Sequence, residues 1–194
     1  MSNQDSLKQE PNPHATFELQ PHLVGDLLEV RPLRPEDWES LFAVASDPLI
    51  WEQHPARERY KEEVFREFFR EALESGGALI VLDRKTQKII GSSRYFGLDP
   101  EKSEIEIGWT FLARSYWGGK YNGELKRLML EHAFNFVENV VFLIGPENFR
   151  SQKAVEKIGG VLIGRRNKMI RGQAVENVVY QIKKPTRTAS SSDE

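Results

Sequence analysis

The chain has 194 residues, 39% of them hydrophobic and 29% charged, enough for one compact domain with a sizeable core. Its net charge of −2 gives no basic field for nucleic acid, and no apolar run approaches the roughly 20 residues that span a bilayer, so neither nucleic acid nor membrane is expected as a partner. The absence of cysteine excludes disulfides, thiolate metal sites and cysteine nucleophiles and is compatible with a cytosolic home; the first residues lack the basic start and apolar stretch of a secretory signal, and a cytoplasmic location is expected.

Residues 1–14 are polar and contain proline, and read as a flexible arm; 184–194, ending in TASSSDE, read as a disordered tail. Between them, 15–183 read as one α/β domain. LLEVRPL (27–33) is a strand, and a short helix follows from Pro35, which suits the first helical turn, to the stop at Asp47-Pro48. ERYKEEVFREFFREALE (58–74) places Val64, Phe65, Phe68, Phe69, Ala72 and Leu73 on one helical stripe. Three strands with short polar turns come next: ALIVLD (78–83), KIIGSSRYFGL (88–98) and SEIEIGWTFL (103–112). In the last, Ile105, Ile107, Trp109 and Phe111 alternate with Glu104, Glu106, Gly108 and Thr110, so both carboxylates share a face; Glu104 is expected in solvent.

YWGGKYNGELKRLMLEHAF (116–134) joins a glycine-rich turn to an amphipathic helix over 121–138. Leu125, Leu128, Met129, His132 and Phe136 make its apolar stripe, with His132 a core histidine; Glu124, Arg127, Glu131, Asn135 and Glu138 make its wet face. VVFLI (140–144) reads as a strand buried on both faces, parallel to 103–112 through the crossover helix. A short helix (151–158) and a hairpin of 161–170 and 173–182, turning at Arg171-Gly172, complete the chain.

A glycine turn opening a helix presents bare backbone N–H groups to an anion. A P-loop is excluded, because Gly119-Lys120 is followed by Tyr121 and Arg114 stands at the first glycine position. A dinucleotide fingerprint is excluded too, because G-x-G-x-x-G spacing is absent and the loop follows a meander. The turn taken alone is equally compatible with a plain helix cap.

Three segments in order change this: EVRPLRPED, EIGWTFLARSYWGGKYNGELK and ENFRSQKAVEKIGG. With the meander, crossover and terminal hairpin, they resemble the GNAT superfamily of acyl-CoA-dependent N-acyltransferases over about residues 24–182, closest to the branch of the ribosomal-protein alanine acetyltransferases. The resemblance implies a mixed, mostly antiparallel sheet of six to seven strands, helices on both faces and a splayed parallel pair. It implies acetyl-CoA as co-substrate and no metal, four scattered histidines making no ligand cluster.

By that resemblance the coenzyme A pyrophosphate sits on the loop Trp117, Gly118, Gly119, Lys120, Tyr121, Asn122 and Gly123, where helix dipole and free donors meet a diphosphate. Lys120 replaces the family's usual second glycine and Asn122 a small residue. Either position 120 needs φ > 0, costing a lysine about 1–2 kcal/mol, or the turn is shifted onto Gly119 and the Lys120 ammonium faces the phosphates. Pantetheine pairs with the backbone of Phe111, Leu112 and Arg114. Asn148 and Ser151 match the family's Asn-x-x-Ser near the thioester, although Asn148 also suits a turn and Ser151 a helix cap.

Transfer to an amine needs a neutral nucleophile, a polarised carbonyl and a proton for the thiolate. Glu106 matches the glutamate of the family's E-I-G-W/Y segment and is the candidate base. The tyrosine acid of many relatives is replaced by Val155, which leaves Ser151 or a bound water as acid, or a thiolate that departs unassisted. Trp51 and His54 lie in the loop expected to line the acceptor pocket. Arg57, Arg59, Arg165, Arg166 and Arg171 are expected in two loops beside it, either favouring an acidic substrate or forming plain solvated surface. The acceptor, a small-molecule amine or a protein or peptide amine, is left open, as is a homodimer. The enzyme reading, direct attack without a covalent intermediate, competes with an acyl-CoA-binding or regulatory protein of the same fold and with a loop that is only a cap.

Overall fold

The computed structural model describes residues 16–170 and 173–186. The expected arm over 1–14, the turn at Arg171-Gly172 and the last eight positions of the expected tail lie outside them.

Eight strands form one sheet in the order β1-β2-β3-β4-β5-β6-β8-β7: β1 (Leu23–Val24), β2 (Leu28–Pro32), β3 (Ala78–Asp83), β4 (Ile89–Asp99), β5 (Glu104–Leu112), β6 (Asn139–Ile144), β7 (Val161–Ile170) and β8 (Gln173–Lys183). Every neighbouring pair is antiparallel except β5 with β6. The two-residue β1 takes the sheet to eight strands, beyond the six or seven expected; it is too short to carry an alternation pattern.

Strand β3 shows how the two faces are divided. Leu79 and Val81 enter the core beneath α3 (Lys120–Ala133) and α4 (Phe149–Glu156). Ala78, Ile80 and Leu82 enter the core beneath α1 (Trp38–Ala45) and α2 (Glu62–Glu74). All six residues of β3 are buried, as expected for a strand covered on both faces.

The helix limits differ from the sequence reading at three places. Residues Arg57–Tyr60 form a separate 3₁₀ turn, and Lys61 is extended, so α2 begins at Glu62. Helix α3 ends at Ala133, five residues early, and the chain beyond it tightens through the Asn135 and Phe136 N–H groups, which donate to the His132 and Ala133 carbonyls. Helix α4 begins at Phe149 with Asn148 as its cap; the Asn148 side chain accepts from the Ser151 N–H at 3.2 Å. The cap role is therefore not that of Ser151.

Two contacts seat α3. The Tyr95 hydroxyl, fully buried, donates to the Met129 carbonyl at 2.6 Å. Glu124, expected on the wet face, instead accepts from the backbone N–H groups of Asp26, Leu27 and Leu28 at 2.8–2.9 Å. Gly25 makes room for it, since a Cβ there would meet the Glu124 carboxyl at 2.6 Å. Helical periodicity gives the direction of a side chain but not what lies there. His132 packs edge-on to Phe17 and reaches the Glu18 carbonyl at 2.8 Å.

Glu124→Ala strands three backbone donors at the start of β2. Denaturant unfolding should show a loss of about 2–4 kcal/mol, with Glu124→Gln losing less; a change within about 0.5 kcal/mol would show that the staple does not hold.

Candidate active site

Strands β5 and β6 pair only through Glu104 with Asn139, Ile105 with Val140 and Glu106 with Val141. Beyond these pairs β5 follows β4 as far as Leu112, while β6 follows β8 as far as Ile144. The strands part, and a cavity of about 780 Å³ opens between and beside them.

A bulge shapes its wall. The β4–β5 register slips between Ser92 and Arg94, and Trp109 has φ 52°. A left-handed tryptophan costs about 1–2 kcal/mol. The result departs from the expected alternation: Ile105 and Ile107 enter the α3 core, whereas Trp109 and Phe111 pack on the α1–α2 side. An inserted residue reverses the faces downstream, and alternation cannot reveal it.

Glu104 and Glu106 do share a face, but Glu104 is not in solvent. It is 6% exposed and accepts from Arg166 Nη1 at 2.7 Å. Glu106, 9% exposed, holds Lys168 Nζ at 2.9 and 2.8 Å through its two oxygens. Both cations come from β7, 62 positions downstream. Burial raises the Glu106 carboxyl above the usual range, while Lys168, Arg94 and Arg166 oppose the rise. The Lys168 ammonium also lies over Trp109, 3.9 Å from its ring centre. Arg165 and Arg166 are thus strand residues, not loop residues, paired with Glu176 and Glu104.

Arg94, opposite Gly108 on β4, is 4% exposed. Its guanidinium lies 4.6 Å from the Trp109 ring and 5.6 Å from that of Phe68. Burial lowers its pKa to about 10, against the support of Glu71 and Glu106.

At the other end, Lys126 is the buried charge of α3, 5% exposed. Its Nζ donates to Thr110 Oγ1 at 2.6 Å and stands 5.2 Å from the Phe142 ring, between β5 and β6 where they diverge. Burial alone lowers its pKa to about 7. Asn122, Asn148 and Ser151 line the same space.

The glycine loop lies at the N-terminus of α3. Gly118 has φ 69°, Gly119 is extended and caps without a side-chain bond, and Lys120 is the first helical residue. The left-handed position is therefore Gly118, neither 120 nor 119, and Lys120 bears no strain. Lys120 and Gly123 are exposed. Tyr121 packs edge-on to Tyr116 and donates to Asp83 at 3.2 Å. The Trp117 indole donates to the Leu112 carbonyl at 2.8 Å and carries the Arg150 guanidinium 4.1 Å from its ring. Arg114 pairs with Asp47, and the buried Phe111 packs against Trp51 at 5.0 Å.

Trp51 and His54 both line the cavity. Trp51 is 2% exposed and donates to the Ala45 carbonyl at 2.7 Å. His54 Nδ1 accepts from the Ala56 N–H at 2.9 Å, and burial beside Arg59 and Arg150 lowers its pKa to about 3, so the ring is neutral at ordinary pH.

The cavity brings together Glu106, Trp51, His54, Asn122, Asn148 and Ser151 from the sequence reading. Phe111, Leu112, Arg114 and the rest of the loop lie outside its lining. Arg94, Lys126 and Lys168 line the cavity but are absent from that reading. Lys126 carried a signal: it falls in the apolar arc with Met129 and Leu130, where a charge is costly. Arg94 carried a fainter one, a charge inside a central strand.

The family model described as an acetyltransferase (GNAT) domain matches residues 28–161. Similar solved structures include a GCN5-related N-acetyltransferase from Brucella melitensis, 18% identical, with a TM-score of 0.74 over 91% of this chain and 83% of that one. A GNAT-family acetyltransferase from Bacillus anthracis is 22% identical, with a TM-score of 0.68 over 84% and 98% of the chains. Ribosomal-protein-S5-alanine acetyltransferase from Vibrio fischeri is 17% identical, with a TM-score of 0.62 over 84% and 96%. At these identities the likeness is one of fold.

Because burial lowers the folded pKa of Lys126 to about 7, the unfolded chain binds a proton that the folded chain gives up. That penalty builds as pH falls from roughly 10 towards 7 and is constant below. Lys126→Met, similar in volume, should therefore stabilise the protein by a few kcal/mol at about pH 6, with the gain fading by about pH 10. Unfolding free energies at both pH values test this; a gain independent of pH would refute it.

Proposed function

We propose, from the premise that the chain belongs to the GNAT acetyltransferase family, that it transfers an acetyl group from acetyl-CoA to a primary amine by direct attack. The observation that carries the proposal is the shared cavity: Glu106 from one side and Lys126, Asn148 and Ser151 from the other border the opening between β5 and β6. A binder without turnover would be favoured by a Glu106 turned to solvent and a closed pocket. Here Glu106 is buried and borders an open cavity. Kinship with the ribosomal-protein alanine acetyltransferases is proposed on the three motifs alone, and the acceptor of that branch is not carried over.

The cofactor pyrophosphate is assigned to the N–H groups of the loop over 117–123, with Lys120 adding charge at the helix N-terminus. Pantetheine lies along the backbone of Phe111, Leu112 and Arg114, and the thioester lies beside Asn148 and Ser151. Trp51 and His54 wall the acceptor side. The amine attacks the thioester carbonyl; its C–N bond forms, and its proton passes to Glu106, directly or through water. The tetrahedral intermediate collapses with loss of the C–S bond, and Lys126 supplies the proton for the thiolate. Lys126 suits this role better than Ser151, because an ammonium that titrates near 7 is a far stronger acid than a hydroxyl.

Calorimetric titration with acetyl-CoA should show binding that Lys120→Glu weakens at least tenfold; no binding by the wild type would sink the assignment. The rate should follow a bell in pH, with an acid limb from protonation of Glu106 above the ordinary carboxylate range and an alkaline limb near pH 7 from deprotonation of Lys126. Glu106→Gln should lower kcat about 100-fold or more, and Lys126→Met should remove the alkaline limb while acetyl-CoA still binds.

A further inference from the structure

The acceptor end of the cavity holds a guanidinium with unmet donors. Arg94 is 4% exposed, yet its Nε and Nη2 have no hydrogen-bond partner among the described residues. Burying such donors is costly, so each calls for a reason. The nearby carboxylates do not supply one: Glu71 and Glu106 support the charge of Arg94 through space, but Glu106 is engaged by Lys168 through both oxygens. The aromatic rings of Trp109 and Phe68 favour the cation without accepting its N–H groups in plane.

The two unpaired atoms, both buried, are a matched pair. Nε and Nη2 donate from the same edge of the planar guanidinium, roughly parallel, and that edge fits the two oxygens of one carboxylate. The packed rings hold the side chain in place, so little entropy is lost when the bonds form. The cavity lining that includes Arg94 also includes Glu106, the group assigned to the reacting amine. The strand register pairs Phe96 with Glu106 and Arg94 with Gly108, which puts Arg94 and Glu106 on one face as diagonal neighbours, with Cα atoms about 7–8 Å apart. A molecule joining an amine to a carboxylate over a few bonds spans the gap between their charged ends.

We propose that the acceptor is a small amino acid or a similar amine bearing a carboxylate, held by Arg94 through a two-pronged salt bridge. The proposal rests on the acetyltransferase reading for the fate of the amine, but the carboxylate site can be tested without the cofactor. A second guanidinium, Arg59, lies 4.5 Å from the same Phe68 ring at the wall of the cavity and adds to a field that attracts anions.

The test is calorimetric titration of the full chain, without acetyl-CoA, with the common α-amino acids and with their carboxamides, and separately with inorganic phosphate. At least one amino acid should bind about 100-fold more tightly than its carboxamide, since a site built for a charged group leaves buried donors unpaired when that group is replaced. Arg94→Gln should abolish the difference, and Arg94→Lys, which keeps the charge but loses the fork, should cut it at least tenfold. If Arg94→Gln does not fold, the lysine variant and the acid-to-amide ratio of the wild type still decide. Equal binding of acid and carboxamide overturns the proposal, as does binding of phosphate alone or no binding of any amino acid. Failure of acetyl transfer with a retained, Arg94-dependent preference for acids would overturn the enzyme reading and leave this site standing.

Discussion

The parallel pairing of β5 and β6 lasts for three residue pairs and then stops, and the site is built on that break. Each strand keeps an antiparallel partner on its far side, β4 for one and β8 for the other, so neither frays when the pair opens. What opens is an edge. Along the diverging stretch of β5, backbone groups on the β6 side have lost their ladder, and exposed edge groups of this kind need water, side chains or another extended chain. The indole of Trp117 takes one carbonyl, that of Leu112. The remaining edge is suited to a ligand whose own amides are spaced like a strand, which is the physical reason a splayed pair and an extended cofactor go together.

The break also sets the electrostatics. Between two diverging strands a side chain can be deeply buried without being packed on every side, and polar groups gather there. Lys126 reaches in from α3 to Thr110 at the break itself, and along the cavity wall beside it Glu106 is clamped by Lys168 and Arg94 lies near two aromatic rings. Together they oppose folding, because each charge leaves water for a region of low dielectric. Such groups are worth retaining when charge develops beside them during a reaction, since dipoles and ions already in place need no reorganisation. The strained φ of Trp109 belongs to the same pattern. Without that bulge Trp109 would follow Ile107 into the α3 core, and Arg94 and Lys168 would each lose their nearer aromatic face, keeping only Phe68 and Phe96 respectively.

Much of the fold was legible because its signals are local. The apolar run ALIVLD coincides with the six residues of β3, and the crossover from β5 through α3 to β6 follows from order and hydrophobicity alone. The glycine turn was legible because backbone conformation depends on nearby residues, although the left-handed position fell on Gly118 and not where family spacing had suggested. Burial was harder to read. Glu104 resembles an ordinary solvent-facing residue of an alternating strand until β7 returns from 62 positions away and lays Arg166 against it. Glu124 fits the wet face of a helix until the turn before β2 presents three N–H groups to it. Both errors have one cause: the pattern along an element reports direction, and only the tertiary neighbour decides whether that direction is water.

The same distinction separates the two halves of the site. The half assigned to the cofactor is made largely of backbone, a glycine turn, a helix end and a strand edge, and such parts are written in short contiguous stretches of sequence. The half facing the acceptor is made of side chains drawn from α2, β4, β5, β7 and the loop after α1, with no two of the deciding charges adjacent in the chain. A resemblance of motifs can therefore assign the donor and remain silent on the acceptor. The acceptor has to be argued from chemistry that only the assembled fold displays, and a buried guanidinium with one edge unmet is the most specific piece of that chemistry, because it fixes both the charge and the planar geometry of what must meet it.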